Sequence, residues 1–231
     1  MKFLITGANR GLGLQLTREA LKRGYHIFAT VRKDQGESLL ELKNKYSDML
    51  SILTVDVQKE EEVQAVAKHL EDSGQHLDVM INNAAVLNER EKSIEELDME
   101  QSLIALDINV LGPMRIVKHF LPLLNKGPSA SIFHISSEAA SFTNAYAGDY
   151  PYGISKAALN MFSEKLKKYL EGDGVQVLAI HPGWMKTDMG GENAPYDPKE
   201  TAVMIIDLAE RKKEVVSRFT FVNRDGSSMD I

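Results

Sequence analysis

Tyr152 and Lys156 stand four residues apart in the segment YGISK. On a helix that spacing places the phenol and the ammonium group one turn apart on the same face. A phenol can give its proton to a developing alkoxide, but an ordinary pKa of about 10 makes it a poor ionisable group at neutral pH. A neighbouring ammonium favours the phenolate and draws that pKa down, so the pair suits a proton donor with its electrostatic trigger. Tyr150 lacks this advantage because Ile154 occupies the matching position, which leaves it to packing or to the entrance of a site. Asn109 precedes Pro113 by four residues, and proline has no N–H to return to that carbonyl. The Asn109 carbonyl is therefore expected to be free at a kink beside Gly112, able to hold a water.

A second group of residues suits a dinucleotide. The stretch TGANRGLG places Gly7, Gly11 and Gly13 between an apolar run and an amphipathic segment. There, missing side chains let a backbone approach a pyrophosphate, and the dipole of the following helix favours its charge. The spacing differs from the commoner Gly-x-Gly-x-x-Gly. Further on, FATVRKDQG puts Arg32 and Lys33 where an NAD-preferring site carries a carboxylate for the ribose 2′-hydroxyl. With Arg10 in the glycine loop, two guanidinium groups are expected to converge on a 2′-phosphate. NADP(H) is accordingly predicted ahead of NAD(H), with Asp34 turned to solvent or capping the next helix.

The elements that must position these residues alternate along the chain. Short apolar runs occur at KFLIT, HIFATV, SILTV, DVMIN, SIFHIS, VQVLAI and RFTFV. Helical periods fill Leu12–Arg23, Glu37–Lys45, Glu60–Glu71, Leu97–Leu124, Tyr152–Leu170 and Pro198–Arg211. This order predicts an α/β fold, a doubly wound parallel sheet of seven strands with helices on both faces, as one domain over residues 1–231. Ligands of such sheets bind beyond the carboxyl ends of the strands. Residues 182–197, rich in Gly, Asn and Pro, read as a surface loop over the substrate. Its apolar and aromatic groups suit a small uncharged aldehyde or ketone.

Composition narrows the partners. The net charge of -6 and the scattered basic residues argue against nucleic acid. There are no cysteines and no paired histidines, which leaves no thiolate chemistry and no metal site. Neither a signal segment nor a membrane span is seen, and a cytoplasmic location is expected. Segments Leu106–Leu124 and Ala157–Leu170 carry apolar residues on more than one face, which predicts a homodimer through those helices.

The ordered series TGANRGLG, VDV at Asp56, NNAA from Asn82, INVLG at Asn109, ISS, YGISK and HPGWMKT resembles the classical short-chain dehydrogenase/reductase family along almost the whole chain. The ending HPGWMKTDMGG looks most like the branch of C-factor and sniffer-type carbonyl reductases. The resemblance implies a single Rossmann-fold domain with catalytic residues Asn109, Ser137, Tyr152 and Lys156. It places the hydroxyl that meets the carbonyl oxygen on Ser137, with Ser136 as the alternative because the Ser–Tyr spacing is about two residues longer than usual. It gives the Asn109 carbonyl a water that links to Lys156 and relays protons to bulk solvent. For the cofactor it implies Gly7, Asn9, Arg10, Gly11, Leu12 and Gly13 at the phosphates, and Asp56 and Val57 at the adenine. Asn82 and Ala84 would lie near the adenine ribose, where Ala85 stands in place of the family's glycine. Lys156 would bond the nicotinamide ribose, Thr187 and the Met185 backbone would hold the carboxamide, and Pro182 and Gly183 would also border the cofactor. His181 reads as a structural strand-end residue. C-factor-like relatives also leave open a non-catalytic nucleotide-binding protein in signalling.

Overall fold

Strands β1 (Lys2–Thr6), β2 (His26–Val31), β3 (Leu50–Thr54), β4 (Val79–Asn82), β5 (Ser131–Ile135), β6 (Gln176–His181) and β7 (Phe221–Asn223) form one parallel sheet in the order β3-β2-β1-β4-β5-β6-β7. The computed structural model describes residues 1–231. The central strands are apolar on both faces because both are covered. Phe3 and Ile5 of β1 pack to one side with helices α1 (Gly11–Lys22), α2 (Glu37–Lys45) and α7 (Pro198–Ala209). Leu4, between them, packs to the other side with α3 (Glu60–Asp72), α5 (Gly112–Phe120) and α6 (Tyr150–Tyr169). The chain order reverses where β1 lies beside β4, and at that switch point the strand ends open into a cleft.

Several boundaries depart from the sequence reading, three of them near the site or the sheet edge. The helix expected over Leu97–Leu124 is interrupted: α4 (Met99–Leu106) runs into a π-helical turn at Asp107–Leu111 before α5 begins. Pro113 has no N–H to close the regular ladder. The N–H of Gly112 reaches back five residues to the carbonyl of Asp107. A side chain at Gly112 would meet Val57 at 2.9 Å, so only glycine lets the widened turn sit this close. Helix α6 starts two residues early, at Tyr150, because Pro151 fits a first turn whose N–H groups need no helical partner. Strand β7 starts at Phe221, later than the run RFTFV suggested, and pairs only through Phe221, Val222 and Asn223. No helix is long and apolar enough to cross a membrane.

Candidate active site

A cleft of about 810 Å³ lies beyond the strand ends. Its floor is the turn after β1. Gly7 sits at φ 66°, and a Cβ on Gly13 would fall 2.2 Å from the Gly7 carbonyl oxygen. The helix start can press against the turn only without that atom, so Gly13 shapes the loop from behind and does not line the cleft. Gly7, Asn9, Arg10, Gly11 and Leu12 do line it. Asn83, which the sequence reading passed over, fixes the same turn from β4. Its side-chain amide donates to the carbonyls of Thr6 at 2.9 Å and Gly7 at 3.2 Å. The Thr6 hydroxyl in turn accepts the N–H groups of Asn83 and Ala84, each at 3.0 Å. The NN of NNAA was the available signal.

The expected convergence of Arg10 and Arg32 is not what the side chains do. Both line the cleft with Lys33, but Arg10 donates to Asp188 of the 182–197 loop at 2.8 Å, an exposed ion pair. Arg32 and Lys33 are exposed and form no ion pair. Asp34 accepts from the N–H of Gly36, the residue that caps α2, at 2.9 Å, and Asn9 donates to the Asp34 carbonyl at 3.0 Å. The carboxylate is thus spent on its own turn. Arg32 and Lys33 leave a positive end suited to a phosphate.

At the other end Tyr152, Ser137 and Lys156 line one wall. The Ser136 hydroxyl is buried and donates to Asn160 at 2.6 Å, whereas the Ser137 hydroxyl accepts the Ala139 N–H at 3.2 Å, which leaves its own proton uncommitted on the wall it shares with Tyr152. That separates the two serines, which spacing could not. Lys156 is 2% exposed; its ammonium donates to the Ile135 carbonyl at 2.7 Å and lies 5.5 Å from the centre of the Tyr152 ring. The expected lowering of the phenol is not found. Burial pushes Tyr152 up to about 12, against a smaller downward pull from Ser137. Burial also holds Lys156 down at about 7. The sequence argument counted the attraction between phenolate and ammonium and omitted the loss of water around both, which is the larger effect here.

Asn109 is fully buried in the π-helical turn, outside the cleft lining. Its side chain accepts the Val86 N–H and donates to the Val86 carbonyl, both at 2.9 Å, and donates to the Ser155 hydroxyl at 3.0 Å. The residue therefore joins the loop after β4 to the helix of Tyr152, a task that reading its carbonyl alone did not foresee. Asn82 departs from its expected place near the ribose. It is buried, off the cleft, with its amide 3.2 Å from Nδ1 of His134. As the last residue of β4 it still alternates with its strand neighbours, and that alternation turns it into the core. Ala84 lines the cleft. Ala85 lines it too and has no positive φ, so alanine replaces glycine there without strain.

Asp56 and Val57 line the cleft after β3, and Asp56 also accepts from the Gln58 N–H at 3.1 Å. Pro182, Gly183, Met185 and Thr187 line it after β6. Gly183, at φ 83°, packs against the Tyr196 ring, where a Cβ would fall 2.7 Å from the ring. His181 accepts the Glu138 N–H at 3.0 Å at the strand end and also lines the cleft. The tyrosine at the entrance is Tyr146, which donates to Asp149 at 3.0 Å; Tyr150 does not reach the lining. Arg90, which no motif pointed to, also faces the cleft.

The family model for short chain dehydrogenases matches residues 2–197. The chain is 33% identical over 208 residues to 1-hydroxy-2-glutathionyl-2-methyl-3-butene dehydrogenase of Rhodococcus sp. (strain AD45), covering 88% of each chain. It is 32% identical over 205 residues to estradiol 17-beta-dehydrogenase 2 of Rattus norvegicus, which aligns with 87% of this chain. The chain spans about half, 52%, of that relative's length. Among solved structures, the carbonyl reductase Sniffer of D. melanogaster superposes with a TM-score of 0.88 at 30% identity, covering 100% of this chain and 99% of that one. The NADPH-bound carbonyl reductase from chicken fatty liver superposes with a TM-score of 0.86 at 27% identity, covering 100% and 98%.

Proposed function

The chain belongs to the short-chain dehydrogenase/reductase family, and from that premise we propose that it is an NADP(H)-dependent oxidoreductase that reduces a small aldehyde or ketone to the alcohol. One observation carries the reading: Tyr152, Ser137 and Lys156 share the cleft whose far end holds the unpaired cations Arg32 and Lys33. The likeness to Sniffer and to the NADPH-bound chicken enzyme supports both the reaction and the cofactor. The residues present fit a dinucleotide. The Gly7–Gly13 approach clears the turn of side chains, and the donors at Arg32 and Lys33 suit a 2′-phosphate.

NADP(H), when bound, supplies the hydride. The chain's own groups handle the oxygen. The Ser137 hydroxyl donates a hydrogen bond to the carbonyl oxygen as charge develops on it. Tyr152, whose high pKa keeps it protonated through the neutral range, gives its proton to the same oxygen. The Lys156 ammonium, fixed on the Ile135 carbonyl, offers its charge to the phenolate that remains. Asn109 holds the Val86 loop and Ser155 in register with that helix.

Loss of absorbance at 340 nm with NADPH and a panel of aldehydes and ketones tests the reading. Turnover is expected, and Tyr152→Phe is expected to lower kcat by about 10²–10⁴ while NADPH binding is kept. Near-normal turnover in that variant would remove Tyr152 from its role. Silence with every carbonyl would favour a nucleotide-binding protein without catalysis.

A further inference from the structure

The segment between β4 and α4 brings Arg90 to the proton-donor end of the cleft. One of its terminal nitrogens donates to the Met189 carbonyl at 2.9 Å, spanning from this segment to the 182–197 loop. The backbone on either side is strained: Glu89 has φ 56° and Glu91 φ 64°, a region that glutamate seldom enters. Such strain persists only where the surroundings over-determine it, and here they do. The Glu89 carboxylate accepts the Asp98 N–H at 2.8 Å, and the Asn88 amide donates to the Gln101 carbonyl at 2.6 Å. The loop is pinned so that Arg90, and neither flanking glutamate, lines the cleft.

Arg90 forms no ion pair, whereas Arg10 in the same cleft is held by Asp188. Besides Asp188, which is paired with Arg10, two carboxylates share the lining at this end. Asp149 accepts the Tyr146 hydroxyl, and Glu138 is exposed; neither pairs with Arg90. Arg90 nevertheless lies close enough to Tyr152 for its charge to pull on that phenol and on Tyr146. A guanidinium has five N–H donors in a fork that matches a carboxylate, and a single hydrogen bond occupies this one. Arg32 and Lys33, at the opposite end, are the cations placed for the cofactor.

We infer that Arg90 is the specificity-determining side chain of the substrate end, and that the carbonyl compound reduced here carries a carboxylate. This rests on the oxidoreductase reading above, and it replaces the uncharged substrate that the 182–197 sequence suggested. The test compares 4-carboxybenzaldehyde with the neutral methyl 4-formylbenzoate in the wild type, Arg90→Gln and Arg90→Lys. Glutamine keeps an N–H donor on a shorter stem and lysine keeps the charge on a longer one, so a loss that comes only from a broken Met189 contact strikes both aldehydes alike. The acid is expected to have the higher kcat/KM in the wild type. Arg90→Gln should lower that value about ten- to a hundredfold for the acid and little for the ester, with Arg90→Lys in between. No preference in the wild type, or equal losses for both aldehydes in Arg90→Gln, overturns the inference. If neither aldehyde turns over, the reaction reading fails on its own. Calorimetric titration with benzoate and benzamide in the presence of NADP⁺ then decides Arg90: benzoate binding that is lost in Arg90→Gln supports the assignment, and binding that is absent or unchanged refutes it.

Discussion

Lys156 shows at a single residue how a buried charge in the cleft trades against stability. It is buried with its ammonium on the Ile135 carbonyl, and burial lowers its pKa from 10.5 to about 7. Between those values the unfolded chain binds more protons than the folded one, so stability rises with pH across that window. The penalty of the buried charge is fully present below about 7 and gone above 10.5. Lys156→Met is expected to abolish reduction yet raise the melting temperature at pH 6 by more than at pH 9; equal shifts at both would show that no buried charge is relieved. Cofactor choice is also a matter of single residues. Arg32→Ala should raise the KM for NADPH about tenfold and leave that for NADH unchanged, as initial rates with each cofactor will report. With Arg10 paired to Asp188, we expect Arg32 to carry more of this selectivity than the paired arrangement read from the sequence implied.

Among the elements, the β1–α1 turn is the most constrained. A Gly13→Ala side chain would need the Gly7 carbonyl to move, since its Cβ would fall 2.2 Å from that oxygen. It is expected to destabilise the protein by about 1–3 kcal/mol and to weaken NADPH binding more than tenfold, measured by thermal melts and fluorescence titration. Unchanged cofactor binding would show that the turn is not the pyrophosphate site. The glycines, their place after the first strand and the helix they open were all legible in TGANRGLG, because close backbone approach demands a residue type. Asn83, which ties that turn to β4 through side-chain bonds over 76 and 77 residues of sequence, was not. The π-helical turn was half legible: Pro113 and Gly112 announced a break, but the clamp from Asn109 to Val86 and Ser155 needed three segments to meet.

For the whole molecule, the open question is assembly. Met99, Leu103, Leu111 and Met114 on α4, the π-helical turn and α5 are exposed, as are Ile154 and Met161 on α6. A helix that flanks a sheet needs only one apolar face, and α4 packs against α6. We expect these helices to form a homodimer interface. Light scattering at micromolar concentration should give twice the 25.7 kDa chain mass, and Leu103→Lys should give a monomer with its fold intact. A monomeric wild type would leave these side chains without that role.

The sequence by itself determined the strand–helix alternation, the parallel sheet, the glycine turn and the Tyr152–Lys156 pair. These follow from local period, residue type and spacing within one turn of helix. Tertiary structure alone decided that the Ser136 hydroxyl is taken by Asn160 while the Ser137 hydroxyl keeps its proton on the cleft wall, since adjacent serines leave the strand end on different faces. It also decided that Asn82 turns to His134, that Asp188 takes Arg10, and that Arg90 lines the cleft. The pKa values of Tyr152 and Lys156 belong there too. Their spacing specifies an attraction, but the water each group loses depends on what the rest of the chain packs around it, and here that loss is the larger effect.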